Sequence, residues 1–250
     1  MKNEIIRVLK EIEEIENIEI LYACEAGSRV WGFSNEDSDY DVRFIYKNVN
    51  VSEYLSLKET DDVIEYSGDD IDITGWDIKK ALTLHYKSNP SLREWLISNQ
   101  VYIDKGIADI FSELGDFDVN VLKNYYLSMA CGHWKRYCGL KYQEKKVKKY
   151  LYVIRCILCW NLLNVGIDPP LSIQDLLNHP YAHISDENAS AVYNLIDHLQ
   201  SQSEISENTI FKLNNFILNS FKSMRKVKTN STKDFDAYDA RFRELLLIVR

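Results

Sequence analysis

Residues 27–46 carry the side chains from which phosphate and metal chemistry is built. Gly27-Ser28 follows an apolar run, and Asp39 and Asp41 stand two apart further on. Asp39 to Tyr46 alternates in the manner of a strand. Asp39, Asp41, Arg43 and Ile45 then point one way, and Tyr40, Val42, Phe44 and Tyr46 the other. Two carboxylates on one strand face can reach one hard divalent cation, or two neighbouring ones. Side by side, such like charges cost free energy unless a cation or a proton compensates. Taken alone, Asp-x-Asp reads most simply as a solvated edge strand. The turn before it shifts the balance. Gly27 permits a positive φ and close approach of a ligand to the backbone. Ser28 offers a hydroxyl and an N–H to phosphate oxygens. A phosphate-binding turn beside a metal-binding strand is the equipment of phosphoryl-linked group transfer.

A third carboxylate is within reach of the pattern. Asp62–Tyr66 and Asp70–Thr74 read as two short strands around Ser67-Gly68-Asp69, a hairpin. Asp70 and Asp72 share one face of the second strand, and hairpin position leaves the two nearly even. Asp77–Lys87 follows as a helix with Lys80 early in it. Lys80 is either a phosphate contact or a solvated helix lysine. A further basic cluster, Lys141, Lys145, Lys146, Lys148 and Lys149, opens a long helix and is interleaved with Tyr142 and Tyr150. It suits a triphosphate or a nucleic-acid backbone, with tyrosine faces for base stacking; residue by residue, a solvated helix face explains it as well.

The elements that must position these groups follow from periodicity. Residues 2–16 form an amphipathic helix, with Ile5, Leu9 and Ile12 on one stripe. Ile18–Cys24 is a strand that delivers the chain to Gly27. Ser91–Ile97 is a short helix with Trp95 in the core, and Val101–Ile103 a strand or loop. A domain boundary falls near Gly115–Asp118, which gives domains 1–118 and 119–250. The second reads as about five helices, at 120–138, 142–164, 186–200, 204–224 and 233–249. The expected fold is α/β in the α+β sense, a small mixed-sheet domain followed by a helical bundle.

The chain has 250 residues, enough for a real core, and little Gly or Pro. Its net charge of −8 is uneven. Residues 1–118 hold 12 basic and 26 acidic side chains, net −14, and the remainder 18 and 12, net +6. That division suits a metal–nucleotide cleft between two domains, although solvated surface charge would also account for it. No positively flanked apolar leader opens the chain, and the longest apolar region, 150–165, is broken by Arg155 and Asn161. The expectation is a cytoplasmic protein, with no membrane partner and five reduced cysteines. Cys156-x-x-Cys159 could form a zinc set with Cys131 and His133, but it lies in an apolar helical pattern where buried thiols fit better.

The words Gly27-Ser-Arg-Val-Trp-Gly-Phe33 and Ser38-Asp-Tyr-Asp-Val-Arg-Phe-Ile-Tyr46 resemble the signature of the DNA polymerase beta superfamily of nucleotidyltransferases. They are most similar to its RNA-repair-associated branch. The resemblance covers most of the chain and is strongest over 20–103. It implies a polymerase-beta-like domain that transfers a nucleoside monophosphate from a nucleoside triphosphate to a hydroxyl, releasing pyrophosphate. It also implies two Mg²⁺ (or Mn²⁺) ions on Asp39, Asp41 and a third carboxylate just before Gly-Trp-Asp, which favours Asp72 over Asp70. Gly27 and Ser28 would bind the β- and γ-phosphates, with Arg29, Arg43, Lys80, Lys148 and Lys149 as further nucleotide contacts. An RNA end is the acceptor that the branch implies. Antitoxin-like nucleotidylation of a protein or small molecule, and a non-catalytic nucleotide-binding module, are the alternatives.

Overall fold

A computed structural model describes residues 1–57, 61–68, 70–138, 147–229 and 233–247. The chain forms two compact units. The first holds residues 1–30 and 39–117 together with the C-terminal helix; the second holds 31–38 and the chain that follows Phe117 up to that helix.

The first unit is built on a five-stranded mixed sheet of order β3-β4-β2-β1-β5. Its strands are β1 (Ile18–Ala26), β2 (Tyr40–Asn48), β3 (Val63–Ser67), β4 (Ile71–Asp77) and β5 (Val101–Asp104). β2 and β4 are parallel, and the other pairs antiparallel. Asp69, within the expected hairpin turn, lies outside the described residues. Alternation sorts the two faces. Val42, Phe44 and Tyr46 pack with Ile5, Leu9 and Ile12 of helix α1 (Lys2–Glu16). Ile45 packs on the other side with α3 (Ile78–Tyr86), α4 (Pro90–Leu96) and α5 (Ile107–Glu113). A bulge in β1 between Ile20 and Tyr22 exchanges its faces, because one extra residue inverts the period-two pattern. Ile20 therefore joins the α1 side and Tyr22 the other. Tyr22 donates to the Trp95 carbonyl at 2.8 Å, and Trp95 stacks on Trp76. At Gly75 the Phe44 ring approaches so closely that an added Cβ would meet it at 2.1 Å, so the β2–β4 contact admits no side chain there.

The expected division at 118/119 differs from these units in two segments. Residues 31–38 belong with the helices, and the last helix, α11 (Phe235–Leu247), belongs with the sheet. The reason is long-range packing. Tyr238 and Leu245 enter the core beside α3, Lys47 donates to the Leu245 carbonyl at 3.1 Å, and Arg241 pairs with Glu113. His85 is fully enclosed there, with Nδ1 2.6 Å from the Tyr238 hydroxyl and Phe111 and Phe117 against its ring. Burial, helped by the Lys233 charge, holds the imidazole neutral and drives its pKa down to about 3.

An unfolded histidine titrates near 6.5, so between these values the unfolded chain binds the extra proton and the folded chain does not. Stability must then fall as pH falls through that window. From pH 7 to pH 4.5, wild-type protein should lose roughly 2 kcal/mol of stability that His85→Gln does not lose, as read by urea unfolding at each pH. Equal losses in both proteins would show that His85 is not the group responsible.

The second unit is helical: α6 (Val119–His133), a π-helical turn over Trp134–Cys138, α7 (Val147–Asn164), α8 (Ile173–Asn178), α9 (Asp186–Ser201) and α10 (Glu207–Ser223). The 120–138 helix is thus α-helical only to His133. Cys156 and Cys159 are buried in α7. Among the described residues no helix is long and apolar enough to cross a membrane.

Candidate active site

β1 ends at Ala26, and the chain turns directly into a short helix, α2 (Gly27–Trp31), with Gly27 at φ +65. Gly27-Ser28 is therefore the start of a helical turn rather than a free-standing loop, and Ser28 is buried. A Cβ at Gly27 would lie 1.9 Å from Oδ2 of Asp41, so the backbone of the turn and that carboxylate are in direct contact.

Parallel register sets Asp41 of β2 against Asp72 of β4. Their carboxylates meet at a single atom: Arg43 Nη2 donates to Asp41 Oδ1 at 2.9 Å and to Asp72 Oδ2 at 2.8 Å. Arg43 Nη1 is held by the carbonyls of Val42 at 2.9 Å and Asp72 at 3.0 Å. Asp70 lies two residues upstream at the strand entry, where its carbonyl accepts from Tyr40 N–H. Asp72 is thus the carboxylate beside Asp41. Asp39 is exposed just before β2; its carbonyl accepts from Arg29 Nε at 3.2 Å, and the Arg29 guanidinium lies 3.6 Å from the Tyr40 ring centroid. Burial pushes the Asp41 carboxyl above its usual range; Arg43 opposes this, and the Asp72 and Asp39 charges add to it.

Sequence reading passed over Glu25. It is fully buried at the end of β1 and accepts the Asp41 backbone N–H at 3.0 Å through Oε1 and the Tyr102 hydroxyl through Oε2. Burial raises its pKa against those two hydrogen bonds. A lone glutamate inside the apolar run 20–26, two residues before Gly27, was the available signal.

Lys80 pairs with Asp62 at 2.7 Å. It follows the far end of β4, and the five residues from Asp72 to Asp77 span about 16 Å. Lys80 is therefore not grouped with the carboxylates. In the second unit Lys148 reaches Ser38 Oγ at 3.3 Å and Asn35 Oδ1 at 3.5 Å. Lys149 sits about equally between the Tyr137 and Tyr152 rings, 5.0 and 4.9 Å from their centroids. Lys141, Tyr142, Lys145 and Lys146 lie outside the described residues. Tyr150 is fully buried, with its hydroxyl on Asn214, and offers no face for base stacking.

Among the described residues no three His, Cys, Asp or Glu side chains converge as a metal-ligand group. Asp41 and Asp72 nevertheless fit a divalent cation. Both are hard oxygen donors on rigid neighbouring strands, and they already converge on one cationic atom. Mg²⁺ is commonly held by one or two carboxylates, completed by water and substrate phosphates.

A glycine turn against an aspartate pair on a mixed sheet defines a nucleotidyltransferase-like protein of the polymerase beta type. The chain belongs to the RNA repair pathway DNA polymerase beta family, whose model matches residues 1–247. It is 43% identical over 186 residues to the uncharacterized protein YcgL of Bacillus subtilis (strain 168), covering 71% of this chain and 69% of that protein. A solved nucleotidyltransferase-like protein from Exiguobacterium sibiricum 255-15 aligns over 99% of this chain and 87% of its own, with 12% identity and a TM-score of 0.34.

Proposed function

We propose that the protein is a metal-dependent nucleotidyltransferase that moves a nucleoside monophosphate from a nucleoside triphosphate to a hydroxyl at an RNA end. The observation that carries this reading is the convergence of Asp41 and Asp72 on one cation position directly beside Gly27. The family description supports RNA as the acceptor. In the transfer, the acceptor oxygen bonds to the α-phosphorus, the bond from that phosphorus to the bridging oxygen breaks, pyrophosphate leaves, and the hydroxyl proton passes to solvent. Divalent ions on Asp41, Asp72 and Asp39 would lower the acceptor hydroxyl's pKa and neutralise charge on the phosphoryl oxygens. Gly27 and Ser28 bind the β- and γ-phosphates, and the Glu25 carboxylate fixes the backbone from which Asp41 projects. Most of the rate enhancement then comes from positioning and fixed charge.

The test is label transfer from each of the four α-labelled nucleoside triphosphates with Mg²⁺ or Mn²⁺, offered total RNA and a protein extract as separate acceptors. Label on RNA is the expected result and names the base. Label on protein alone would move the activity to protein nucleotidylation. Metal-dependent nucleotide binding with no label on either acceptor would overturn the transfer reading in favour of a binding module.

A further inference from the structure

Arg43 occupies the position where the proposed function needs a metal ion. Its side chain is 17% exposed, and its two terminal nitrogens make four hydrogen bonds: two to the Val42 and Asp72 carbonyls, two to the Asp41 and Asp72 carboxylates. A guanidinium is planar and permanently charged, and it presents its donors as a fork. The register of β2 and β4 forces two carboxylates together, and this fork is the cation that offsets their repulsion.

A divalent ion held by Asp41 and Asp72 would compete with Nη2 for their carboxylate oxygens. Two cations sharing two oxygens also repel one another. We propose that Arg43 is the resident counter-ion of the Asp41–Asp72 pair and that a divalent cation must displace it in order to bind. The inference rests on the nucleotidyltransferase reading for its metal and adds that the site exchanges one cation for another. In the metal-free site the guanidinium thus offsets part of the carboxylate charge and occupies the place a stray ion would take. A displaced guanidinium, still tethered to β2, becomes available to the phosphate charge that accompanies the metal into the site.

The measurement is Mn²⁺ affinity of the nucleotide-free protein, followed by electron paramagnetic resonance of the free ion. Arg43→Met and Arg43→Gln remove the charge in two ways, and whichever retains the wild-type circular dichroism spectrum suffices. Either variant should bind Mn²⁺ at least about tenfold more tightly than wild type, because two carboxylates lose their competitor. Adding Asp41→Asn to the same variant should abolish the gain. Lys105→Gln removes a positive charge of the same unit that pairs with Glu19 at 3.1 Å; it should change affinity less than about threefold. Unchanged or weaker Mn²⁺ binding in both Arg43 variants would overturn the proposal. So would an equal gain in Lys105→Gln, which would reduce the effect to general charge. Tighter Mn²⁺ binding without nucleotide transfer from any triphosphate would uphold the exchange and sink the transferase reading. Transfer without the gain in affinity would do the reverse.

Discussion

Asp41→Asn is expected to lower nucleotide transfer by about 1,000-fold or more while leaving the fold in place. The substitution removes one charge and almost no volume. An asparagine oxygen can still accept from Arg43 Nη2, and Arg43 keeps its bonds to Asp72 and to the Val42 and Asp72 carbonyls. The Asp41 backbone N–H stays on Glu25. One of the like charges around the site also disappears, and burial already works against the ionised Asp41 carboxyl. The melting temperature should therefore shift by only a few degrees, since a charge in a partly solvated pair contributes little net stability. Catalysis has no such reserve, because a neutral amide is a poor ligand for a hard cation. Label transfer and thermal melting on the same preparations make the check. Near-wild-type transfer by a folded Asp41→Asn protein would remove Asp41 from the site.

Much of this geometry was legible in sequence because it is local. The alternation from Asp39 to Tyr46 predicts which side chains share a face, and the faces of β2 divide that way. The pairing of Asp41 with Asp72 was legible only through the resemblance, since Asp70 and Asp72 alternate identically and only strand register separates them. The position of Lys80 depends on where one strand ends. The second hairpin strand reads to Thr74 but runs to Asp77, where the aspartate caps α3 by accepting from Lys79 N–H. Those extra residues carry Lys80 to the far end of the sheet. The Arg43 contacts, the burial of Glu25 and the placement of α11 against α3 are all tertiary. They depend on which strands become neighbours and which apolar stripe fills which face, and periodicity within one element holds no record of either. The bulge after Ile20 belongs with them, because an apolar run from Ile18 to Cys24 hides a change of parity.

Gly27→Ala should nearly abolish transfer by a different route. Two costs fall on this residue. At φ +65 any side chain is strained, by about 1–2 kcal/mol. A Cβ there would also lie 1.9 Å from Oδ2 and 2.6 Å from Cγ of Asp41, far inside van der Waals contact. The obstacle is one of the carboxylates that the proposed chemistry requires, and its other oxygen is tied to Arg43. Relief requires the Asp41 carboxylate to swing away, which breaks that bond and draws it off Asp72, or the turn to move and take Ser28 with it. Either movement misplaces a reacting partner by an ångström or more, and displacement on that scale costs about 100-fold in rate. Gly106 provides the control. It too has a positive φ, of +86, but an added Cβ there meets nothing within 4 Å. Gly106→Ala should therefore lose stability through backbone strain while retaining full transfer. Gly27→Ala should lose both, and a suppressor that shortens Asp41 would not restore activity because the carboxylate itself is needed. If the two variants lose stability to a similar extent and both keep wild-type transfer, the contact between the turn and Asp41 is architectural only. If Gly27→Ala alone loses transfer, the glycine is present so that the turn and the Asp41 strand can touch.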